Sequence, residues 1–382
     1  MPGAGGRACH SEDPAEVNVD EENREEWFCS SLTITRCCPG SGAREPRIPG
    51  NIAGRRGSMG SSRPIQERRG ITAEVNMAAE QFEVAASDGV VIRGQRWLPD
   101  GEARAVVQIA HGMAEHSARY ERFAQELNAA GYAVYANDHR GHGRTAEGGV
   151  LGHFADDDGW ARVVDDLLQV TRRAQAEVPG RPVVLLGHSM GSLLVRTFAA
   201  QHGDLLAGLI VSGTPADPGL LGRVGRQVAR AEGRLRGRTH ASKLLDTMSF
   251  GAFNKQFAPA RTDFDWLSRD EAAVDDYVAD PLCGFVCTAA FYADMLGGLR
   301  LVNRRSFAAG TPSDLPVLVI SGEADPAGDN GKGVRPVADL LRGVGVHDVT
   351  LTLYPGARHE ILHETNRDEV VADILAWLDA HV

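Results

Sequence analysis

The chain is 382 residues long, 43% apolar, and carries 40 basic against 51 acidic side chains, a net charge of −11. That length can bury a sizeable core in one large or two smaller domains, and the acidic balance argues against general affinity for nucleic acid or an anionic membrane. No run approaches 18 uncharged apolar residues and the first thirty residues lack an apolar signal core, so a soluble, cytoplasmic protein is expected.

Residues 1–76 hold 10 Gly, 6 Pro, 10 basic and 11 acidic side chains among few apolar ones. Such a composition cannot offset chain-ordering entropy by burial, which predicts a disordered tail. Met77 then opens a segment that alternates like a strand around a Ser87-Asp88-Gly89 turn, as if translation starts at Met77 and the preceding stretch is an over-extended start. Four cysteines, Cys9, Cys29, Cys37 and Cys38, lie in the tail at spacings that match no paired zinc knuckle. Cys283 and Cys287, four apart on an expected helix, read as two free buried thiols.

Short β-rich runs follow in chain order at Phe82–Ala86, Val90–Trp97, Ala105–His111, Ala133–Asn137, Val183–Gly187, Leu209–Ser212, Val317–Gly322 and Val349–Tyr354. Helical periodicity fills intervals between them, as at Ala118–Ala130, Trp160–Ala176 and Gly191–Gln201. This alternation predicts an eight-stranded, mostly parallel sheet flanked by helices, with ligands gathering at the carboxyl ends of the strands. The connection after Ser212 is too long for a crossover, so a helical cap is expected at about 214–310. Its stretch Arg223–Lys243 carries seven basic residues and one Glu. Arg226, Arg230 and Arg234 share one helical face, while Leu221, Val224, Val228 and Leu235 form another. The face reads either as a solvated helix surface or as a surface for transient contact with lipid headgroups or micelles.

Chemistry concentrates at Gly187-His188-Ser189-Met190-Gly191, which follows an apolar strand and opens a helical run. A serine on so sharp a turn is held in a strained conformation, and the flanking glycines avoid clashes. A nucleophilic serine needs a base and an orienting carboxylate. His359 follows the last strand in YPGARH, Asp325 follows the strand VLVISG in SGEADP, and both sit at strand ends in the order Ser, acid, His. After the strand AVVQIA comes HGMAEH, whose glycine lets the backbone turn back, so that the amides of Met113 and Met190 can form an oxyanion hole.

HGMAEHSARY, the NDHRGHGRT stretch, GHSMG, SGEADP and YPGARHE together resemble the monoacylglycerol lipase and lysophospholipase branch of the α/β-hydrolase fold, also called serine aminopeptidase-like or Hydrolase-4. The resemblance spans roughly 82–382. It implies Ser189 as nucleophile, Asp325 as acid, His359 as base, Met113 and Met190 as oxyanion donors, and Gly187, His188 and Gly191 as the elbow around the serine. Thr145 stands where many relatives have Ser. The inserted segment is similar to the family's cap over an acyl pocket.

His359-Glu360-Ile361-Leu362-His363 also spells HExxH, which on a helix would set two imidazoles on one face for zinc. The position ten after His359 is Glu369 and the required glycine is Asn366, so the third ligand of that pattern is missing. The reading that absorbs most residues is a serine hydrolase cleaving small lipid esters, monoacylglycerol or lysophospholipid, through an acyl-enzyme and without cofactor or metal. A broad carboxylesterase or an aminopeptidase of the same fold is the alternative. A zinc hydrolase and a catalytically silent binding protein are more distant ones.

Overall fold

The computed structural model describes residues 79–382; the expected disordered tail and start at Met77 lie outside the described residues. The first half runs β1 (Glu80–Ala85), β2 (Val91–Trp97), β3 (Val106–Ala110), α1 (Glu121–Ala129), β4 (Ala133–Asn137), α2 (Gly159–Glu177), β5 (Val183–His188), α3 (Met190–His202) and β6 (Gly208–Ser212). Five helices follow, α4 (Leu220–Arg236), α5 (Lys243–Phe250), α6 (Glu271–Ala279), α7 (Ala289–Val302) and α8 (Arg305–Ala308). The chain closes with β7 (Val317–Gly322), α9 (Arg335–Gly343), β8 (Val349–Tyr354) and α10 (Arg367–His381).

The eight strands form one sheet in the order β1-β2-β4-β3-β5-β6-β7-β8. β2 pairs antiparallel with both β1 and β4, and every other pairing is parallel. This is the expected eight-stranded, mostly parallel arrangement. Period-two alternation sorts the strand side chains onto two faces. Leu185, Leu209, Val211, Val317 and Val319 share a core with α2, α3, α7 and α9, whereas Val184, Leu186, Ile210, Leu318 and Ile320 share one with α1 and α10.

The order places β4 on one side of β3 and β5 on the other. Chain leaving β3 and chain leaving β5 therefore diverge, and a crevice opens at the carboxyl ends of these two strands. Their register sets Ala110 opposite Gly187, so Gly112 and Ser189, each two residues on, come out side by side.

The segment between β6 and β7, which we call the cap, rests on the sheet's helices through α7. Phe291, Tyr292 and Leu299 of α7 join the core formed by Val163 and Leu167 of α2 with Leu193 and Phe198 of α3. Thr288 caps α7 by accepting from Phe291 N at 3.2 Å. Cys283 and Cys287 are free and buried, as expected, but they do not lie on a helix. Gly284 has φ +67° and its amide donates to Ala114 O at 2.9 Å, which bends the chain there and delays helix formation until Ala289.

Candidate active site

Ser189 sits between the end of β5 and the start of α3 with φ 53° and ψ −118°, a backbone conformation that costs a non-glycine residue of order 1–3 kcal/mol. Two things hold it there. Its amide donates to Ser212 O at 2.9 Å, and the glycines on either side admit backbone that no side chain could. A Cβ at Gly191 would stand 2.0 Å from Ala110 O, and one at Gly187 would stand 2.3 Å from Gly191 O. The side chain of Ser189 thus reaches a cavity of about 300 Å³ instead of the core.

Asp325, fully buried just beyond β7, and His359, beyond β8, meet there: His359 Nδ1–H donates to Asp325 Oδ2 at 2.9 Å. Ala327 N donates to Asp325 Oδ1 at 2.9 Å, which orients the carboxylate. Burial opposes a charge on His359, but the facing Asp325 carboxylate outweighs it and holds the imidazole pKa above its ordinary value. The cap braces this histidine from the other side. Trp266 lies with its ring centroid 5.0 Å from that of His359, and Leu267 O accepts from Glu360 N at 2.7 Å. His188, 4.8 Å from His359 between ring centroids, is kept neutral by burial and by that neighbour, its pKa lowered to about 4.

The loop after β3 closes the cavity. A Cβ on Gly112 would lie 3.2 Å from Ser189 Cβ, so only glycine brings this backbone so close to the serine. Gly112 N is already engaged, donating to Glu115 Oε1 at 2.5 Å. The amides of Met113 and Met190 donate to no main-chain group among the described residues. Met113 lines the cavity, while the Met190 side chain is buried in the core beneath it.

A buried ion network behind this loop escaped the sequence reading. Arg119 reaches Glu360 through both terminal nitrogens, at 2.6 and 2.7 Å, and Glu115 Oε2 at 2.7 Å; Tyr120 OH donates to Glu115 Oε1 at 2.9 Å. Burial penalises each charge, but Arg119 holds the Glu360 carboxyl below the ordinary range, and the two carboxylates hold Arg119 charged. The i, i+4 spacing of Glu115 and Arg119 in HGMAEHSARY was the available signal; Glu360 carried none.

The HExxH segment is not helical: only Ile361–His363 forms a single 3-10 turn. His359 is engaged by Asp325, whereas His363 Nε2–H donates to Arg119 O at 3.0 Å. The two imidazoles therefore do not share a helical face.

The family described as serine aminopeptidase S33 (Hydrolase_4) matches residues 101–366. The chain belongs to it. A monoacylglycerol lipase of Mycolicibacterium smegmatis is 32% identical over 311 residues, covering 81% of this chain and 100% of the relative. The human monoglyceride lipase is 32% identical over 281 residues, covering 73% of this chain and 82% of that protein. Among solved structures, a thermostable carboxyl esterase from Bacillus coagulans in complex with glycerol superposes with TM-score 0.75 at 29% identity, over 80% of this chain and 99% of that one. This S33-family chain is a serine ester hydrolase of the α/β-hydrolase fold.

The cavity wall mixes aromatic surface with acid. Phe250, Phe264, Trp266, Tyr277 and Phe285 supply the apolar part, and four carboxylates, Glu115, Asp246, Asp263 and Glu360, the charged part. No Lys or Arg lines it among the described residues. Glu115 and Glu360 are matched by Arg119, whereas Asp246, which accepts from Tyr292 OH at 3.2 Å, and the exposed Asp263 come from the cap.

Proposed function

We propose that the enzyme hydrolyses neutral monoacylglycerols, with Ser189, His359 and Asp325 as its triad and the amides of Met113 and Met190 as its oxyanion donors. Ser189 Oγ attacks the acyl carbonyl as His359 Nε2 takes its proton. Asp325 holds the Nδ1–H and stabilises the imidazolium, and the two amides receive the negative oxygen. His359 then returns the proton to the departing glycerol oxygen, and water repeats the sequence to release the fatty acid. No step calls for a cofactor.

The observation that carries the neutral headgroup is the charge of the cavity wall. An aromatic wall accepts an acyl chain, and carboxylates without a lysine or arginine repel a phosphate ester. The relatives named monoacylglycerol and monoglyceride lipases support the same reading. A lysophospholipase would need a basic residue at the headgroup; an aminopeptidase would take its substrate ammonium on a free carboxylate such as Asp263, so the amide substrate is what separates that rival. Turnover of monoacylglycerol, lysophosphatidylcholine, lysophosphatidylglycerol and an aminoacyl amide tests it. The highest kcat/KM is expected on monoacylglycerol; a preference for the anionic lysolipid or the amide overturns the assignment.

Contact with a lipid surface is the second part of the proposal, and it rests on α4. The basic face offers little support, because Arg226 Nε donates to Ala293 O at 3.1 Å and the face borders a groove shared with Asp156, Asp157, Asp158 and Asp294. Its apolar side is free in part: Val228 packs against the core, whereas Leu220, Leu221 and Leu235 are 73%, 62% and 86% exposed. Exposed leucines on a cap helix suit a lipid–water interface.

A further inference from the structure

The cap is stitched to the loop after β3 along one edge of the pocket, where Ala114, Tyr277 and Gly284 line it. Ala114 O accepts from Gly284 N at 2.9 Å and from Tyr277 OH at 3.0 Å. Beside this joint, His116 Nε2–H donates to Asp280 Oδ2 at 2.7 Å, and Cys283 Sγ completes a group whose three ligand atoms all lie within 4.8 Å of one another. A tight turn presents two of the three. Cys283 N donates to Asp280 O at 3.0 Å, and Leu282 N donates to Asp280 Oδ1 at 2.8 Å, so the carboxylate and the thiol are set by the same backbone. His116 approaches from the opposite side of the joint and shares no chain segment with them.

We propose that His116, Asp280 and Cys283 form a site for one zinc-class divalent cation at this joint. Imidazole nitrogen, carboxylate oxygen and thiolate sulfur together suit a borderline-soft ion with water at its fourth vertex, whereas magnesium and calcium take oxygen donors. Tetrahedral bonds of about 2.0–2.1 Å to nitrogen and oxygen require those two atoms roughly 3.3 Å apart, which opens the present hydrogen bond by about half an ångström. The surrounding charge favours a cation. Arg119, the nearest positive group, is matched by two carboxylates, Glu115 and Glu360, and Asp280 adds another. The Asp280 side chain is 30% exposed, which gives an ion its path from solvent.

Binding needs two proton movements. The imidazole proton leaves Nε2, passing to Nδ1 if the ring is neutral, and the thiol proton is released to solvent as the metal–sulfur bond forms. Burial pushes the Cys283 thiol pKa well up, so the ion competes with that proton and its affinity falls about tenfold for each pH unit lost.

Cobalt(II), added to the full chain with Cys9, Cys29, Cys37 and Cys38 replaced by Ser, is the probe. One equivalent is expected to bind with thiolate-to-cobalt charge-transfer absorption. Cys283→Ser removes that band, Cys287→Ser leaves it, and Asp280→Asn, which keeps a partner for His116, weakens binding at least about tenfold. Absence of the band in the parent, or its survival in Cys283→Ser, overturns the site. Metal-free ester hydrolysis by each variant reports its folding, so loss of cobalt binding is read apart from loss of the enzyme.

Discussion

The floor of the pocket and its roof are built by different means. On the floor the contacts that fix geometry are main chain: the amide of Ser189 on Ser212 O, the carbonyl of Ala110 against Gly191, the backbone of Gly112 against Ser189. In the roof, beyond main-chain bonds at Leu267 and Gly284, they are side chains from distant positions, such as Trp266 over His359 and Phe264 against Tyr277 at 5.1 Å between centroids. Main-chain contacts at strand ends leave almost no freedom, whereas side-chain packing can be rebuilt with the volume conserved. The difference predicts that chemistry is lost by small changes to the floor and that changes to the roof shift selectivity and partition.

The largest effect belongs to Ser189, the proposed nucleophile. Ser189→Ala should lower kcat by about a million-fold and abolish labelling by a fluorophosphonate, with an unchanged circular dichroism spectrum. Turnover that survives in this variant would break the division at its centre. Asp325→Asn comes next, with a loss of about 10⁴-fold in kcat. It also has a signature in pH. The base must be neutral, and Asp325 holds the His359 pKa above the ordinary imidazole value, so the acid limb of kcat/KM lies above about 6.5. Removing the carboxylate takes away the main influence opposing burial, leaving only the more distant Glu360 and Glu115, and should move that limb to lower pH; a limb that stays in place would deny Asp325 its electrostatic role.

The same division explains what the sequence made legible. Gly187, Ser189 and Gly191 were readable because a strained turn dictates residue types within five positions, and Asp325 and His359 because strand ends mark where side chains converge. The α4 arginines were not. Helical spacing correctly puts Arg226, Arg230 and Arg234 on one face, but whether that face meets lipid or the acidic Asp156–Asp158 segment is decided by tertiary packing. The bend at Gly284 was hidden likewise, since its cause is the carbonyl of Ala114 some 170 positions away. Thr145 accepts from Arg93 N at 2.9 Å and donates to Asp138 O at 2.8 Å, a bridge from β2 to the end of β4 that any β-hydroxyl can make.

Beneath the floor lies a histidine cluster that ties stability to pH. His111 Nε2 accepts from His139 N at 2.9 Å, its Nδ1–H donates to Gly112 O at 2.7 Å, and His142 Nδ1–H donates to Arg140 O at 2.8 Å. Burial first, and the facing imidazoles second, lower the pKa of His111 and bring that of His139 to about 3; burial brings that of His142 to about 4. These rings stay neutral when folded and take up protons when unfolded, so their contribution is intact above pH 6.5 and is lost as pH falls toward 4. The loss amounts to about 1 kcal/mol per ring per pH unit. Urea unfolding at pH 7.5, 6 and 5 should show it, and a flat stability over that range would remove the cluster from the account. In the roof, Asp263→Lys should change turnover far less, raising kcat/KM for lysophosphatidylglycerol relative to monoacylglycerol about tenfold through charge alone. An equal change on both lipids would mean that Asp263 acts on folding and not on the headgroup.

The smallest effect separates the two faces of α4. A leucine wholly removed from water contributes about 1.5–3 kcal/mol, and one that dips partly into a lipid surface about 1 kcal/mol. Leu221→Ser and Leu235→Ser should therefore each weaken binding to neutral lipid vesicles roughly fivefold, with kcat on a soluble p-nitrophenyl ester unchanged. Binding through these side chains is insensitive to ionic strength, because no counterion is displaced when apolar surface leaves water. Contact through the basic face would behave in the opposite way, weakening as salt screens the arginines and failing when Arg230 and Arg234 are reversed to Glu. A strong salt dependence together with intact binding in the serine variants would return the lipid contact to the arginines, and would mean that the Asp156–Asp158 groove does not occupy that face when a membrane is present.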